Sequence, residues 1–319
     1  LIWGEEYARA WAPNLIAISV GPTLTGPVLI QKGEPWQKDR FLKNILTGEE
    51  VWCQGFSEPD AGSDVAALRT RGEVRKGEIV VTGQKIWTSF AQYADWCILI
   101  VRTDPNPRKK HDGLTFLLVD MKSPGIEIRP LVEMTGESWF NEVFFDHVRV
   151  PVENVVGEID AGWDVVINTL SHERASAAPH ARLEAELDLL YKLVRRVPYP
   201  GGAAADDPRI RQQLASFAIE ITNLRLNAYR NAVTIERTGH PGPMGSTLKL
   251  GWSELDQRVK SLAARVLGPY ALLVEGDPLA ADGGFWSREL LWSRAATIYA
   301  GTSEIQRNII AERVLGLPR

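Results

Sequence analysis

The spacing of apolar residues changes period twice along this chain. Up to about residue 50 it is helical: after Glu34, Trp36, Lys38 and Asp39, the apolar Phe41, Leu42, Ile45 and Leu46 fall three and four apart. From about 51 to 155 the period shortens. Residues 78–82, 96–101, 114–119, 126–128 and 143–145 are short runs rich in β-branched and aromatic side chains. Turn signals separate them at Lys76-Gly77, Asp104-Pro105, Asp112-Gly113 and Ser123-Pro124-Gly125. Beyond about 156 the helical period returns. Residues 161–195 read as one long helix. Asp207-Pro208 opens another, with Asp as cap and Pro at the first helical position, and 239–245 interrupts it. Residues 249–267 and 286–314 read as two more.

This pattern predicts an α+β fold in three parts: a partial N-terminal helical domain (1–50), a middle antiparallel β-barrel domain (51–155) and a C-terminal four-helix bundle (156–319). Residues 1–10 already read as part of a helix, so the N-terminal domain reads as truncated.

Composition narrows the function without naming it. The 319 residues are 45% hydrophobic and 24% charged, with a formal net charge of -4, ordinary for a globular protein with a large core. The sequence has no basic stripe, which argues against nucleic acid as a partner. No apolar run is long enough to span a membrane. Its two cysteines, Cys53 and Cys97, lie in strand-like runs, so neither a disulfide framework nor a metal site is expected, and a cytoplasmic setting fits. No Gly-x-Gly-x-x-Gly joins a strand to a helix, so a Rossmann-type nucleotide site is unsupported.

The densest chemistry lies between 51 and 89. Gly55-Phe56-Ser57-Glu58-Pro59-Asp60-Ala61-Gly62-Ser63-Asp64 ends a strand-like run in a turn. Gln84-Lys85-Ile86-Trp87-Thr88-Ser89 sets an indole beside two hydroxyls at the end of another. Main-chain and Ser donors for an edge, with indole for a plane, would hold a flat polar ring such as a flavin. Taken singly, each has a plainer reading: the first run as a turn, Trp87 as a core aromatic.

A third segment, Ile298-Tyr299-Ala300-Gly301-Thr302-Ser303-Glu304-Ile305-Gln306-Arg307-Asn308, completes a resemblance. In this order and spacing, the three segments resemble the acyl-CoA dehydrogenase family over nearly the whole chain. The resemblance implies FAD as cofactor, an acyl-CoA thioester as substrate and an electron-transfer flavoprotein as acceptor. It also implies that Gln54, Phe56 and Ser57 meet the flavin edge, that Trp87 packs on the ring and that Ser89 approaches N5. Thr302 and Glu304 would touch FAD, and Gly268 would let a neighbouring subunit's FAD approach the backbone. Ser63, Arg174, Ala300 and Gly301 would meet the substrate.

The family reaction needs a carboxylate over the thioester α-carbon. Many members carry it just before Gly-Thr, where this chain has Ala300. Glu173, in Ser171-His172-Glu173-Arg174, matches an alternative helix position used by isovaleryl-CoA dehydrogenase-like members. Val166, Leu170, Glu173 and Ala177 form one helical row, and burial there would raise the carboxyl pKa towards that of a base. The plainer reading pairs Glu173 with a nearby cation.

Typical members also carry Arg-x-x-Phe-Gly after the long helix, for the FAD pyrophosphate. Here 191–208 has no such motif, and Asp206 and Asp207 would repel phosphate. This resembles one subunit of the heteromeric acyl-CoA dehydrogenases of actinobacterial steroid catabolism, which implies a hetero-tetramer; a homo-tetramer with a rewired phosphate site is the alternative. A non-catalytic partner subunit and an acyl-CoA oxidase-like enzyme are the competing functions.

Overall fold

The computed structural model describes residues 1–13, 15–174, 178–239 and 242–318; the side chains of His172, Glu173, Arg174 and Pro179 are not among those described. The chain packs as two compact units, residues 14–173 and residues 1–13 with 174–319.

In chain order the first helix is α1 (Ile2–Arg9), of the second unit. The first unit opens with α2 (Ile16–Val20), α3 (Gly26–Lys32) and α4 (Pro35–Thr47). A wide π-type turn, Gly21–Thr25, joins α2 to α3. Pro35 occupies the first position of α4, Glu34 and Gln37 form a capping box, and Gly48 ends the helix at φ 74°.

Seven strands come next: β1 (Trp52–Gly55), β2 (Arg71–Arg75), β3 (Glu78–Ser89), β4 (Trp96–Arg102), β5 (Leu114–Asp120), β6 (Ile126–Leu131) and β7 (Phe140–Pro151). They make a curled half-barrel. One part is β1-β4-β5, the other β2-β3-β7-β6, and the two join where Arg71 pairs with Arg102. The sheet is mainly antiparallel, but β1 and β4 run parallel, Trp52 opposite Trp96 and Gly55 opposite Leu99. That departs from the all-antiparallel expectation, because β1 reaches β4 through a crossover rather than a hairpin.

Alternation along β4 explains why it reads as continuously apolar. Cys97, Leu99 and Val101 face the half-barrel interior with Val81, Leu117 and Phe145. Ile98 and Ile100 face the opposite way, into a core with Leu24, Phe41, Phe116 and Val166 from the flanking elements. A strand covered on both faces loses the polar half of its period.

The helix α5 (Gly162–Arg174) closes the first unit. Asp164 pairs with Lys32 at 2.5 Å and Asn168 bonds Gln31 at 2.6 Å, so α5 runs beside α3. The helix expected over 161–195 is two. Pro179 starts α6 (Pro179–Arg196), and Ala178 before it is non-helical at φ -149°. Proline lacks the N–H and crowds the preceding turn, which ends one helix and begins the next.

In the second unit α6 packs with α7 (Pro208–Thr238), α8 (Met244–Leu267) and α9 (Phe285–Ala296) as a four-helix bundle. Leu187, Leu190, Phe217, Ile221, Val259 and Leu262 form its core. The helix expected over 286–314 also breaks. After α9 the chain turns through Ala300 (φ 53°) and Gly301 (φ 86°) before α10 (Ser303–Ile309). A small hairpin, β8 (Pro198–Tyr199) with β9 (Gly202–Ala203), joins α6 to α7. Among the described residues, no helix is long and apolar enough to cross a membrane.

Candidate functional site

The loop 55–64 leaves β1 at the rim of the half-barrel. Glu58 and Ala61 exchange backbone hydrogen bonds of 3.0 Å across Pro59-Asp60, closing a tight turn. The Glu58 side chain turns inward. Its carboxylate accepts from the backbone N–H of Arg69 (2.6 Å) and Thr70 (2.8 Å) and from Lys85 Nζ (2.9 Å). Lys85, fully buried on β3, also donates to Phe56 O at 3.1 Å. Ile86 N–H donates to Ser57 O at 2.9 Å.

Burial pushes the Glu58 carboxyl up, but Lys85 and these donors more than offset it and hold it below its usual value. Burial dominates at Lys85 and draws its ammonium down despite Glu58. Removing one partner of such a pair costs roughly 3–5 kcal/mol, since the other charge is left buried alone. The clamp fixes the loop to the strand that carries Trp87.

Trp87 sits on a β-bulge. Pairing between β3 and β7 slips between Lys85 and Thr88, and Trp87 takes φ 60°. The extra residue turns its indole out of the sheet, where it is 58% exposed with Phe140 at its edge, 6.1 Å between ring centres. It is therefore not a core aromatic. Behind it, Thr88 and Asn141 are fully buried, and Asn141 Nδ2 donates to Thr88 O (3.0 Å) and Gln92 Oε1 (2.6 Å). Ser89 ends the strand half-buried, opposite Phe140. Gln54 and Ser57 are half-buried, the Phe56 ring packs edge-on against Phe116, and Ser63 is exposed beside Gly62.

On α5, Val166 is fully buried and Leu170 packs against the same core, so these two positions face the interior of their unit. Glu173 is the next position of the row; its side chain, with those of His172 and Arg174, lies outside the described residues, as does Ala177.

The other candidates belong to the helical unit. Thr302 caps α10, its side chain accepting from Ile305 N–H at 3.2 Å. Gln306 reaches back and donates to Ala300 O (2.9 Å) and Gly301 O (3.0 Å), fixing the left-handed turn. A Cβ on Gly301 would stand 2.6 Å from Gln306 Nε2. Thr302, Glu304 and Arg307 line a cavity of about 610 Å³ with Gln257, Arg258 and Arg294. The backbone N–H of Glu304 and the Thr302 hydroxyl hold the Glu304 carboxyl below its usual value. Gly268 ends α8 at φ 55°, ψ -130°, a conformation open to glycine, and no atom lies within 4 Å of where its Cβ would stand. This open cradle, like the uncovered indole of Trp87, fits a bound flavin dinucleotide.

The hairpin between α6 and α7 replaces the expected arginine motif. Asp206 accepts from Ala203 N–H at 2.9 Å, and Asp207 caps α7. The Asp207 carboxyl is lowered to about 2 by Arg209, which pairs with it at 2.8 Å. Arg196 pairs with Asp282 at 2.5 Å. Both arginines are thus committed to carboxylates, while Arg195 and Arg211 are exposed.

Sequence reasoning passed over Lys85, Glu58 and Gln306 as functional supports. Lys85 left a signal: a charge inside a β-run, at inward parity with Ile79 and Val81, requires a buried partner.

A half-barrel followed by a helical bundle, with these three segments in place, defines the architecture of flavin-dependent acyl thioester dehydrogenases. The middle-domain model of acyl-CoA dehydrogenases matches residues 53–148, and the C-terminal-domain model matches residues 160–315. The chain is 42% identical to the acyl-CoA dehydrogenase IpdE1 of Mycobacterium tuberculosis, over 99% of this chain and 79% of that protein. Among solved structures, the ChsE4-ChsE5 complex from M. tuberculosis superposes with TM-score 0.88 and 34% identity, covering 100% of this chain and 81% of that one. The Tcur3481-Tcur3483 steroid acyl-CoA dehydrogenase gives 0.88 at 29% identity, over 99% and 80%. The chain belongs to the acyl-CoA dehydrogenase family of FAD-dependent oxidoreductases.

Proposed function

We propose that this chain binds FAD and dehydrogenates an acyl-CoA thioester between its α- and β-carbons, with Glu173 taking the α-proton. The observation that carries the reading is Trp87: a large apolar plane, turned out of the sheet by a bulge, beside a loop clamped from beneath by Lys85 and Glu58. An exposed indole on a constrained backbone is a surface awaiting a flat ligand.

Bound flavin would accept the β-hydride at N5 and later pass its electrons to an electron-transfer flavoprotein. The rest falls to residues of this chain. Gln54, Phe56, Ser57 and Ser89 would meet the ring edge, and Thr302 and Gly268 the dinucleotide. Glu304, an acceptor held ionised, suits ribose hydroxyls better than phosphate. Ser63 would line the path of the pantetheine arm, with Arg174 and Gly301 on the acyl side. Ala300 has no side-chain acceptor, so it keeps only a backbone N–H for the thioester oxygen. That leaves Glu173, on α5 after the core-packed Val166 and Leu170, as the proposed base.

Glu173→Gln should keep its flavin colour and lose bleaching by a suitable acyl-CoA, slowing reduction by about 10²–10⁴-fold. Short, branched, long and steroid CoA thioesters are the panel. Full reduction of the variant by any of them overturns the assignment.

A second reading is favoured by two observations: Ala300 and the acidic hairpin at 198–207. By analogy with the ChsE4-ChsE5 pair, the chain would assemble in the cytoplasm with a different subunit that supplies the arginine for the FAD phosphates. In the extreme form of this reading the chain would complete its neighbour's site without turning over substrate itself. An oxidase-like outcome is separated by oxygen consumption with substrate.

A further inference from the structure

We infer that the loop between β4 and β5 grips the phosphate end of the CoA carrier through Arg108 and Lys109, an inference that rests on the acyl-CoA reading of the neighbouring loop. The run Arg108-Lys109-Lys110-His111 is basic in a chain whose net charge is negative.

The structure ties this run to the loop 55–64 by a central brace. Arg102, at the end of β4, donates to four main-chain carbonyls: Ala66 (2.8 Å), Leu68 (3.3 Å), Lys110 (3.1 Å) and Asp112 (3.1 Å). The first two lie just after Ser63 and Asp64 in the chain; the last two belong to the basic loop. A guanidinium with its donors spread over two loops holds them in fixed register. Lys110 adds a second tie, reaching both Asp64 carboxylate oxygens at 2.8 Å. The His111 ring lies tilted against Trp163, with ring centres 4.5 Å apart.

Charge in the loop is sorted. Its carboxylates are turned to local donors: Asp104 accepts from Asn106 N–H (2.8 Å) and Asp112 from Lys109 N–H (3.3 Å), while Asp160, from the segment before α5, accepts from Thr103 Oγ1 (2.5 Å). Lys110 compensates Asp64, which would otherwise repel an anion beside Ser63. Among the described residues, the Arg108 and Lys109 side chains have no carboxylate partner, and both are exposed. Two uncompensated cations are therefore held one brace away from Ser63, where the pantetheine arm would leave the protein. Beyond that arm, CoA carries a diphosphate and a 3′-phosphate. Guanidinium and ammonium groups suit these oxygens, and at an exposed site the attraction weakens with salt.

The test measures binding of CoA, 3′-dephospho-CoA and pantetheine to the flavin-loaded protein by calorimetry at low and high salt. Wild type should bind CoA more tightly than pantetheine, with the difference shrinking in salt. The variant R108A/K109A should lose roughly tenfold or more in CoA affinity. It should bind pantetheine as before and keep its kcat at saturating acyl-CoA with a raised KM. R108K/K109R, which keeps both charges, should restore most of the CoA affinity. Unchanged flavin content and Tm exclude misfolding. Equal CoA binding by wild type and R108A/K109A overturns this inference and leaves the acyl-CoA reading standing. Absence of CoA binding by wild type overturns both.

Discussion

Trp87 holds a left-handed backbone at φ 60°, which a residue with a Cβ adopts at a cost of about 1–2 kcal/mol. Nothing in the half-barrel core rewards that conformation, because the indole is mostly exposed. Trp87→Gly should separate the two demands on this position. Without a Cβ the strain is relieved, so the flavin-free protein should gain a few degrees in Tm. Flavin affinity should fall at least tenfold, because the stacking plane is gone. Thermal unfolding of the apo variant and a fluorescence titration with FAD measure both. A lower apo Tm would show that the bulge carries no strain.

At the level of elements, the bundle contains a buried charge network that its apolar spacing does not announce. Lys260 on α8 is buried and bonds both Glu186 of α6 and Asp256 of its own helix. Burial raises the Asp256 carboxyl above its usual range, and likewise that of Glu289 on α9. A carboxyl raised on folding binds more protons in the native state than in the unfolded one. Its contribution is therefore greatest at low pH and is lost as pH rises from the ordinary Asp range through the raised native value. Asp256→Asn removes that linkage. The stability of wild type relative to the variant should decline over that window and level off above it, as read by urea unfolding across pH. A difference that grows with pH would refute the raised carboxyl.

Much of this level was legible beforehand. The change from helical to two-residue period placed the half-barrel, and Asp207-Pro208 marked the start of α7. Periodicity failed where backbone chemistry intervenes. Residues 161–195 keep a helical pattern through Pro179, which splits them, and 286–314 keep it through the left-handed Ala300-Gly301 turn. Among the candidate residues, Trp87 and Thr302 are named from motifs, but the Lys85–Glu58 clamp joins residues 27 apart in sequence and needs the strand pairing to be seen.

At the level of the molecule, the candidate residues divide between two units. Gln54, Phe56, Ser57, Ser63, Trp87, Ser89 and Glu173 lie in the first, and Arg174, Gly268, Ala300, Gly301, Thr302 and Glu304 in the second. The acidic hairpin at 198–207 bears on how many of these sites one chain completes. Produced alone, the protein should carry well under one FAD per chain; produced with a partner subunit, it should reach about one FAD per pair of chains. Absorbance of released flavin against protein mass, with the assembly mass from light scattering, checks this. A fully loaded homotetramer would sink the two-subunit account. Whichever assembly forms, the Lys85–Glu58 pair and the Arg102 brace lie wholly inside one unit, so the rim of the proposed flavin seat would already be cast when the cofactor arrives. Loading would then be capture by a finished mould, with little ordering entropy left to lose, and its speed should track encounter frequency rather than any rearrangement of the rim.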